Sequence, residues 1–453
     1  MKSLDSLFRP RSIAILGASH KPGKIGFELV KNIVEAGFQG RIYPINPKGG
    51  EILGYKVYRT LHEVEDDIDL LLIALPTKYI LESIEEAGKK GVKSAVIYAA
   101  GFAEIGKEDL QNELVKLVKK YGIRVIGPNC AGIIYWGSKL NASFSPVSRD
   151  GFLGLLSQSG AMTAVISEYL EFKELGLRLL VSYGNRIDVK DHEIIEYFNY
   201  SSDIKAFMIY IEGLDKGDGR RLYKAIRNSL KPIVVFKAGR GKSGSRAAYS
   251  HTAALAGRYN VFRDIMFQAG AYVVDEYYEL VDVAEALSIV TPPKGKEVAI
   301  VTNSGGPAVT AIDKLEELGI SPHATPQAII DKLDFLQPYM NKSNPIDLTA
   351  DGNEDYYRKV LDVLLESKWP DIIFVIHVPP TFINPIKIAK AVRDTYLKHD
   401  KKKTLIPLFL GRDRWRPNKI IRRAGLPTPL THVSAAKIIH ALISRKNINI
   451  TPK

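Results

Sequence analysis

Cysteine is all but missing from this sequence: Cys130 is the only one in 453 residues. A single thiol excludes internal disulfides and every metal site built on paired cysteines. The nine histidines form no zinc pattern either, since His192-Glu193 has Glu196 where a metalloprotease helix needs its second histidine. No apolar run reaches the ~18 residues that span a bilayer, and the first residues carry no signal pattern. The expectation is an intracellular, cytoplasmic protein with no membrane span. The formal net charge is +13, which suits a polyanionic partner. The densest basic cluster, residues 412–423, comes without a helix-turn-helix, zinc-finger or RNP signature. It therefore reads as a solvated or partner-facing surface, not a nucleic-acid site.

What is present is ordinary in bulk and specific in detail. Hydrophobic residues at 45% and charged residues at 25% are those of a globular chain with full cores, and the length suggests about three domains. Apolar runs at 11–17, 41–47, 70–75, 94–98 and 124–126 alternate with helical stretches, which predicts a doubly wound parallel sheet over residues 1–145. A dehydrogenase fingerprint fails here. Gly17 is followed by Ser19 where the second glycine belongs, and further residues intervene before Gly23 and Gly26. The second strand ends Asn46-Pro47-Lys48, not in the acidic residue that holds an NAD ribose. Lys48 favours a phosphorylated ribose, as in NADP or coenzyme A, and these residues leave both open.

The same architecture is expected twice more, over residues 146–290 and 296–453, with a linker at Thr291-Pro-Pro-Lys-Gly295. In the second domain a strand runs into Ser157-Gln158-Ser159-Gly160 and a helix. In the third, a strand ending at Thr302 runs into Asn303-Ser304-Gly305-Gly306-Pro307 and a helix. Serine and glycine at a helix start present free N–H groups at the positive end of the dipole, a natural anion site. A plain N-cap is the ordinary alternative. Neither serine fits the G-x-S-x-G of a hydrolase elbow. Glu212 follows a strand at the edge where α/β sites lie.

The longest polar connection, residues 239–257, follows the strand Pro232–Phe236 and mixes glycines with Arg240, Lys242, Arg246, Ser250 and Thr252 around His251. Gly241-Lys242-Ser243 is not a P-loop, because Phe236 occupies the position of the first glycine. A neutral imidazole in such a setting is a competent phosphoryl acceptor, and an idle surface loop is the alternative.

Taken in order, Gly17-Ala18-Ser19, Pro44-Ile-Asn-Pro47, Gly127-Pro-Asn-Cys130, Ser157-Gln-Ser-Gly160, Ser250-His-Thr252 and Asn303-Ser-Gly-Gly-Pro307 resemble the α subunit of ADP-forming acyl-CoA synthetases, of the acetyl-CoA and succinyl-CoA synthetase superfamily. The resemblance covers nearly the whole chain. It implies a Rossmann-like CoA-binding domain followed by two flavodoxin-like domains. Coenzyme A would lie on Gly17, Ala18, Ser19 and His20, with Lys48, Pro76, Tyr98 and Ala99 as looser matches. The resemblance places the phosphohistidine at His251 and its supporting carboxylate at Glu212. Phosphate would sit at Ser159-Gly160 and Ser304-Gly305-Gly306. It implies conversion of acyl-CoA, ADP and phosphate to a small carboxylic acid such as acetate, ATP and CoA. The family's ATP-grasp nucleotide module is not legible in these residues. A separate ATP-grasp β subunit carrying Mg2+ with ADP or ATP is therefore implied, in an α2β2 assembly. An NADP oxidoreductase and a CoA-sensing or acyl-transfer scaffold are the competing classes.

Overall fold

The computed structural model describes residues 4–146, 149–241, 243–244, 258–400 and 403–447, and His251 lies outside them. In chain order the first elements are α1 (Asp5–Phe8), β1 (Ser12–Leu16), α2 (Ile25–Glu35), β2 (Arg41–Ile45), the short pair β3 (Glu51–Ile52) and β4 (Tyr55–Lys56), β5 (Leu70–Ile73), α3 (Ile80–Lys90), β6 (Ser94–Ile97), α4 (Glu108–Tyr121) and β7 (Arg124–Ile126). β1, β5, β6 and β7 are mostly Ile, Leu, Val and Ala and almost wholly buried, as a parallel sheet between helices requires, with Ser12, Ser94 and Arg124 at strand starts. They form a parallel sheet in the order β2-β1-β5-β6-β7. The chain leaves β1 to one side and returns on the other, so a crevice opens at the carboxyl ends of β1 and β5.

The next two strands, β8 (Gly132–Tyr135) and β9 (Leu140–Ser143), form a hairpin. They lie inside the 1–145 segment, yet β8 pairs antiparallel with a strand of the next sheet, Leu180 facing Ile134. That sheet is built from β10 (Leu153–Ser157), α5 (Gly160–Phe172), β11 (Leu177–Ser182), α6 (Asp191–Tyr197), β12 (Ala206–Ile211), α7 (Asp218–Arg227), β13 (Ile233–Lys237), α8 (Tyr259–Ala269) and β14 (Tyr272–Val274). Its order is β14-β13-β12-β10-β11-β8-β9, with the crevice between β10 and β12.

One compact unit ends at Asp275 and a second begins at Glu276, ahead of the proline-rich 291–295 linker. The reason is chemical. Helix α9 (Tyr277–Ile289) buries Glu279, Asp282 and Glu285. Glu279 pairs with Lys437 at 2.7 Å, Asp282 accepts from the Leu430 N–H at 2.8 Å, and Glu285 meets Arg422 at 3.3 Å. Buried carboxylates need such partners, and all of these belong to the later unit. Beyond α9 come β15 (Val298–Thr302), α10 (Gly305–Glu317), α11 (Gln327–Ile330), β16 (Ile346–Asp347), α12 (Glu354–Glu366), β17 (Ile372–His377), α13 (Pro385–Lys398), β18 (Thr404–Phe409), α14 (Trp415–Arg423) and α15 (His432–Asn447). The sheet order β16-β15-β17-β18 again places a crevice beside the first strand, between β15 and β17. No helix among the described residues is long and apolar enough to cross a membrane.

Candidate functional site: three turns at three sheet crevices

The first turn is closed too tightly for any side chain. Gly17 has φ +92°, and a Cβ there would stand 2.6 Å from the Ala74 carbonyl oxygen across the crevice. A Cβ on Gly26 would stand 2.0 Å from the Gly17 carbonyl oxygen, so α2 begins directly on the turn. The N–H groups of Gly17 and Ala18 both donate to Ile45 at 3.1 Å. Asn46 completes the corner: its amide donates to Ala18 at 2.7 Å and its oxygen accepts from the Lys48 N–H at 3.0 Å. The Ser19 hydroxyl accepts from the Lys21 N–H, and the His20 ring bonds the Gly49 carbonyl at 3.0 Å. The side chains of His20, Lys21, Lys24 and Lys48 are exposed around this corner. Pro76 is exposed just after β5.

Tyr98 and Ala99 are placed differently. Tyr98 is buried, its hydroxyl donates to Ala142 at 2.7 Å, and burial pushes the phenol well above its usual range. The Ala99 carbonyl accepts from the Asn129 N–H at 2.8 Å. Both therefore tie β6 to the neighbouring sheet. The glycine-bounded stretch 127–132 is part of the same seam. A Cβ on Gly184 would stand 2.1 Å from the carbonyls of Pro128 and Asn129, and the Ala131 N–H donates to Ser182 at 3.0 Å.

In the second turn, the Ser157 hydroxyl accepts from the Ser159 N–H at 3.3 Å and donates to the Ser159 carbonyl at 2.9 Å. Ser159 is the N-cap of α5, its Oγ accepting from the Met162 N–H at 3.2 Å. The Gln158 side chain crosses the crevice. Its Oε1 accepts from the N–H groups of Glu212 at 2.7 Å and Gly213 at 3.0 Å, and its Nε2 donates to Gly213 at 2.8 Å. Glu212 is buried, with Tyr210 donating to its Oε1 at 3.3 Å and Lys237 donating to its carbonyl at 2.7 Å. Burial pulls the Lys237 ammonium below its usual range, and Glu212 opposes that pull. Arg186, buried at φ +57°, reaches the Gly213 carbonyl at 3.5 Å and pairs with Asp191 and Asp218.

The third turn repeats the wiring. The Thr302 hydroxyl accepts from the Ser304 N–H at 3.0 Å and donates to the Ser304 carbonyl at 2.9 Å. Asn303 crosses to the end of β17, accepting from the Val378 N–H at 2.9 Å and donating to its carbonyl at 2.7 Å. Ser304 makes no cap bond. Among the described residues, a Cβ on Gly306 would meet nothing within 4 Å, one on Gly160 only Ala131 at 3.9 Å, and one on Gly305 Asp347 at 3.5 Å. Both helix starts thus have room beside their glycines, and the N–H groups of a helix start suit an anion. Gln158 and Asn303 carry no role that their spacing alone reveals. Their signal was the polar amide between two small hydroxyl residues in each motif. Among the described residues no group of three or more His, Cys, Asp or Glu side chains is placed to hold a metal ion.

Comparison with known proteins agrees with this arrangement. Residues 11–136 match the family model described as a CoA binding domain, and residues 150–287 match the succinyl-CoA ligase like flavodoxin domain. The α subunit of acetate–CoA ligase (ADP-forming) I of Pyrococcus furiosus is 38% identical over 90% of this chain and 90% of that one. The acetate–CoA ligase (ADP-forming) of Methanocaldococcus jannaschii is 37% identical over 96% of this chain, and the match spans 62% of its own length. The fold superposes on the dinucleotide forming acetyl-coenzyme A synthetase 1 of Ca. Korarchaeum cryptofilum, solved with phosphate and ADP. The TM-score is 0.91 at 32% identity, covering 99% of this chain and 98% of that one. Three parallel-sheet crevices along the chain, with relatives that match nearly all of it, lead to one conclusion: the chain belongs to the family of ADP-forming acetate–CoA ligase α subunits.

Proposed function

We propose that this chain is the α subunit of an ADP-forming acyl-CoA synthetase, converting acyl-CoA, ADP and phosphate to a small carboxylic acid, CoA and ATP, with acetate the simplest acid. The observation that carries the reading is the shared wiring of two helix starts, one in each unit, the first of them tied across its crevice to the turn of the buried Glu212. Coenzyme A lies on Gly17–His20 with Lys48 near its phosphates. Phosphate oxygen attacks the thioester carbonyl, the C–S bond breaks, and CoA leaves as the thiol. The resulting acyl phosphate is then attacked at phosphorus by a neutral nitrogen of His251. The P–O bond to the acyl oxygen breaks, and the carboxylate departs. Glu212 accepts the N–H of the other ring nitrogen and so fixes the tautomer. The N–H groups at Ser159-Gly160 and Ser304-Gly305-Gly306 offset phosphoryl charge, each start contributing about 0.3–2 kcal/mol.

Phosphohistidine passes its phosphoryl to ADP on an ATP-grasp β subunit, which holds Mg2+ with the nucleotide, in an α2β2 assembly. That the P. furiosus relative, matched over 90% of its own length, is an α subunit supports a partner subunit for this chain. The purified chain alone is expected to bind CoA and to make no ATP from acetyl-CoA, ADP and phosphate. Adding the cognate partner restores turnover. ATP synthesis by the single chain, or tighter calorimetric binding of NADP than of CoA, overturns the proposal.

A further inference from the structure

The turn that carries Glu212 has no regular secondary structure to hold it, because β12 ends at Ile211. Its backbone polar groups are nonetheless paired, and most of the pairing comes from one side chain. Gln158 takes the N–H groups of both Glu212 and Gly213 on its oxygen and gives an N–H to the Gly213 carbonyl. Gln158 is itself buried, at 8% exposed. It also stands one residue before Ser159, whose carbonyl accepts the first helical bond of α5 from Thr163. One amide therefore ties the α5 helix start to the turn of the carboxylate on the other side of the crevice. Tyr210 and Lys237 also bond Glu212, from its own strand and the next one.

From this geometry we infer that Gln158 is a positioning residue: it holds the Glu212 carboxylate in register with the Ser159-Gly160 helix start. The inference rests on the proposed phosphohistidine reading and assigns it a further residue. A carboxylate that must orient an imidazole has to stay within a fraction of an ångström of its place while the phosphoryl sits at the helix start. Displacements of about 1 Å at such sites cost up to 100-fold in rate. Asn303 does the corresponding work in the later unit, where the strand end carries Val378 and no carboxylate.

The test uses the chain assembled with its partner. Phosphoenzyme formation from ATP–Mg2+ is timed in a single turnover, CoA affinity is measured by calorimetry, and exchange protection of the Glu212 and Gly213 amides is read in the same samples. Gln158→Leu keeps the bulk and removes all three bonds. It is expected to slow phosphorylation by about 10–100-fold, to raise exchange at Glu212 and Gly213, and to leave CoA affinity within about twofold. Gln158→Glu keeps the two acceptor bonds and adds a like charge beside Glu212. It should recover part of the rate above neutral pH and move the acid limb of the pH profile upward, because a neighbouring carboxylate raises the pKa of Glu212. Wild-type phosphorylation by Gln158→Leu, or equal rates in the two variants at all pH values, overturns the inference. Unchanged amide protection in Gln158→Leu overturns it as well, and that readout stands even if the wild-type enzyme forms no phosphohistidine, a result that would count against the relay itself.

Discussion

The turn at Ser157–Gly160 is capped by its own serine, and the turn at Thr302–Gly305 is not. In both, the hydroxyl at the strand end bonds the N–H and carbonyl two residues on. In both, the next residue's amide reaches across the crevice to the neighbouring strand end. The difference lies three residues past each N-cap. Met162 offers an N–H to Ser159, whereas Pro307 has none to offer Ser304. A second difference sits at the end of the neighbouring strand. Tyr210 lies opposite Ser157 and Ile376 opposite Thr302, so Ile211 corresponds to His377. One scaffold thus serves two ends: the first turn is tied to a carboxylate, and the second keeps its serine free of the helix it starts.

The largest expected effect separates the two units by pH. His377 is fully buried between the rings of Tyr357 and Phe409, with its Nδ1 3.5 Å from the Tyr357 hydroxyl. Burial lowers its pKa from 6.5 to about 4. Between those values the unfolded chain binds a proton that the folded chain refuses, so stability rises with pH in this window. As pH falls from about 6.5 to about 4, this histidine should remove up to about 3 kcal/mol from the later unit. Urea unfolding across that range should show the loss, and His377→Ile, which copies Ile211, should flatten it. An equally steep profile in His377→Ile would place the acid sensitivity elsewhere.

A smaller effect tests the cap directly. Ser159→Ala should cost about 1 kcal/mol of stability, the usual worth of an N-cap. Ser304→Ala should cost under about 0.3 kcal/mol, since it breaks no cap bond. Denaturant midpoints of the two variants measure the contrast, and equal losses would erase the distinction drawn here.

Much of this architecture was legible because its signals are local. The Ile, Leu and Val runs at 12–16, 70–73 and 372–377 have no polar alternation, which only strands buried on both faces tolerate. Ser-Gly at a strand-to-helix junction marks an N-terminus wherever it occurs. The hairpin 132–143 was not legible as a part of the second sheet, because its membership depends on pairing with Leu179–Ser182, far along the chain. The unit division after Asp275 was hidden for a related reason. Glu279, Asp282 and Glu285 look like a solvated face until Lys437, Leu430 and Arg422 are brought to them. Gln158 went unassigned because nothing in its spacing says which strand end it reaches. Glu212 was legible as a carboxylate just past a strand end, and β12 does end at Ile211 before it.

The proposed passage of a phosphoryl group through His251, with Glu212 as its supporting carboxylate, is tested most directly by phosphoenzyme chemistry. The assembled enzyme, given ATP and Mg2+ or acetyl-CoA and phosphate, should form an acid-labile, base-stable phosphoenzyme. His251→Ala should abolish it, and Glu212→Gln should weaken it by up to about 100-fold while CoA binding stays intact. A His251→Ala enzyme that still exchanges phosphate into ATP at the wild-type rate would contradict the account.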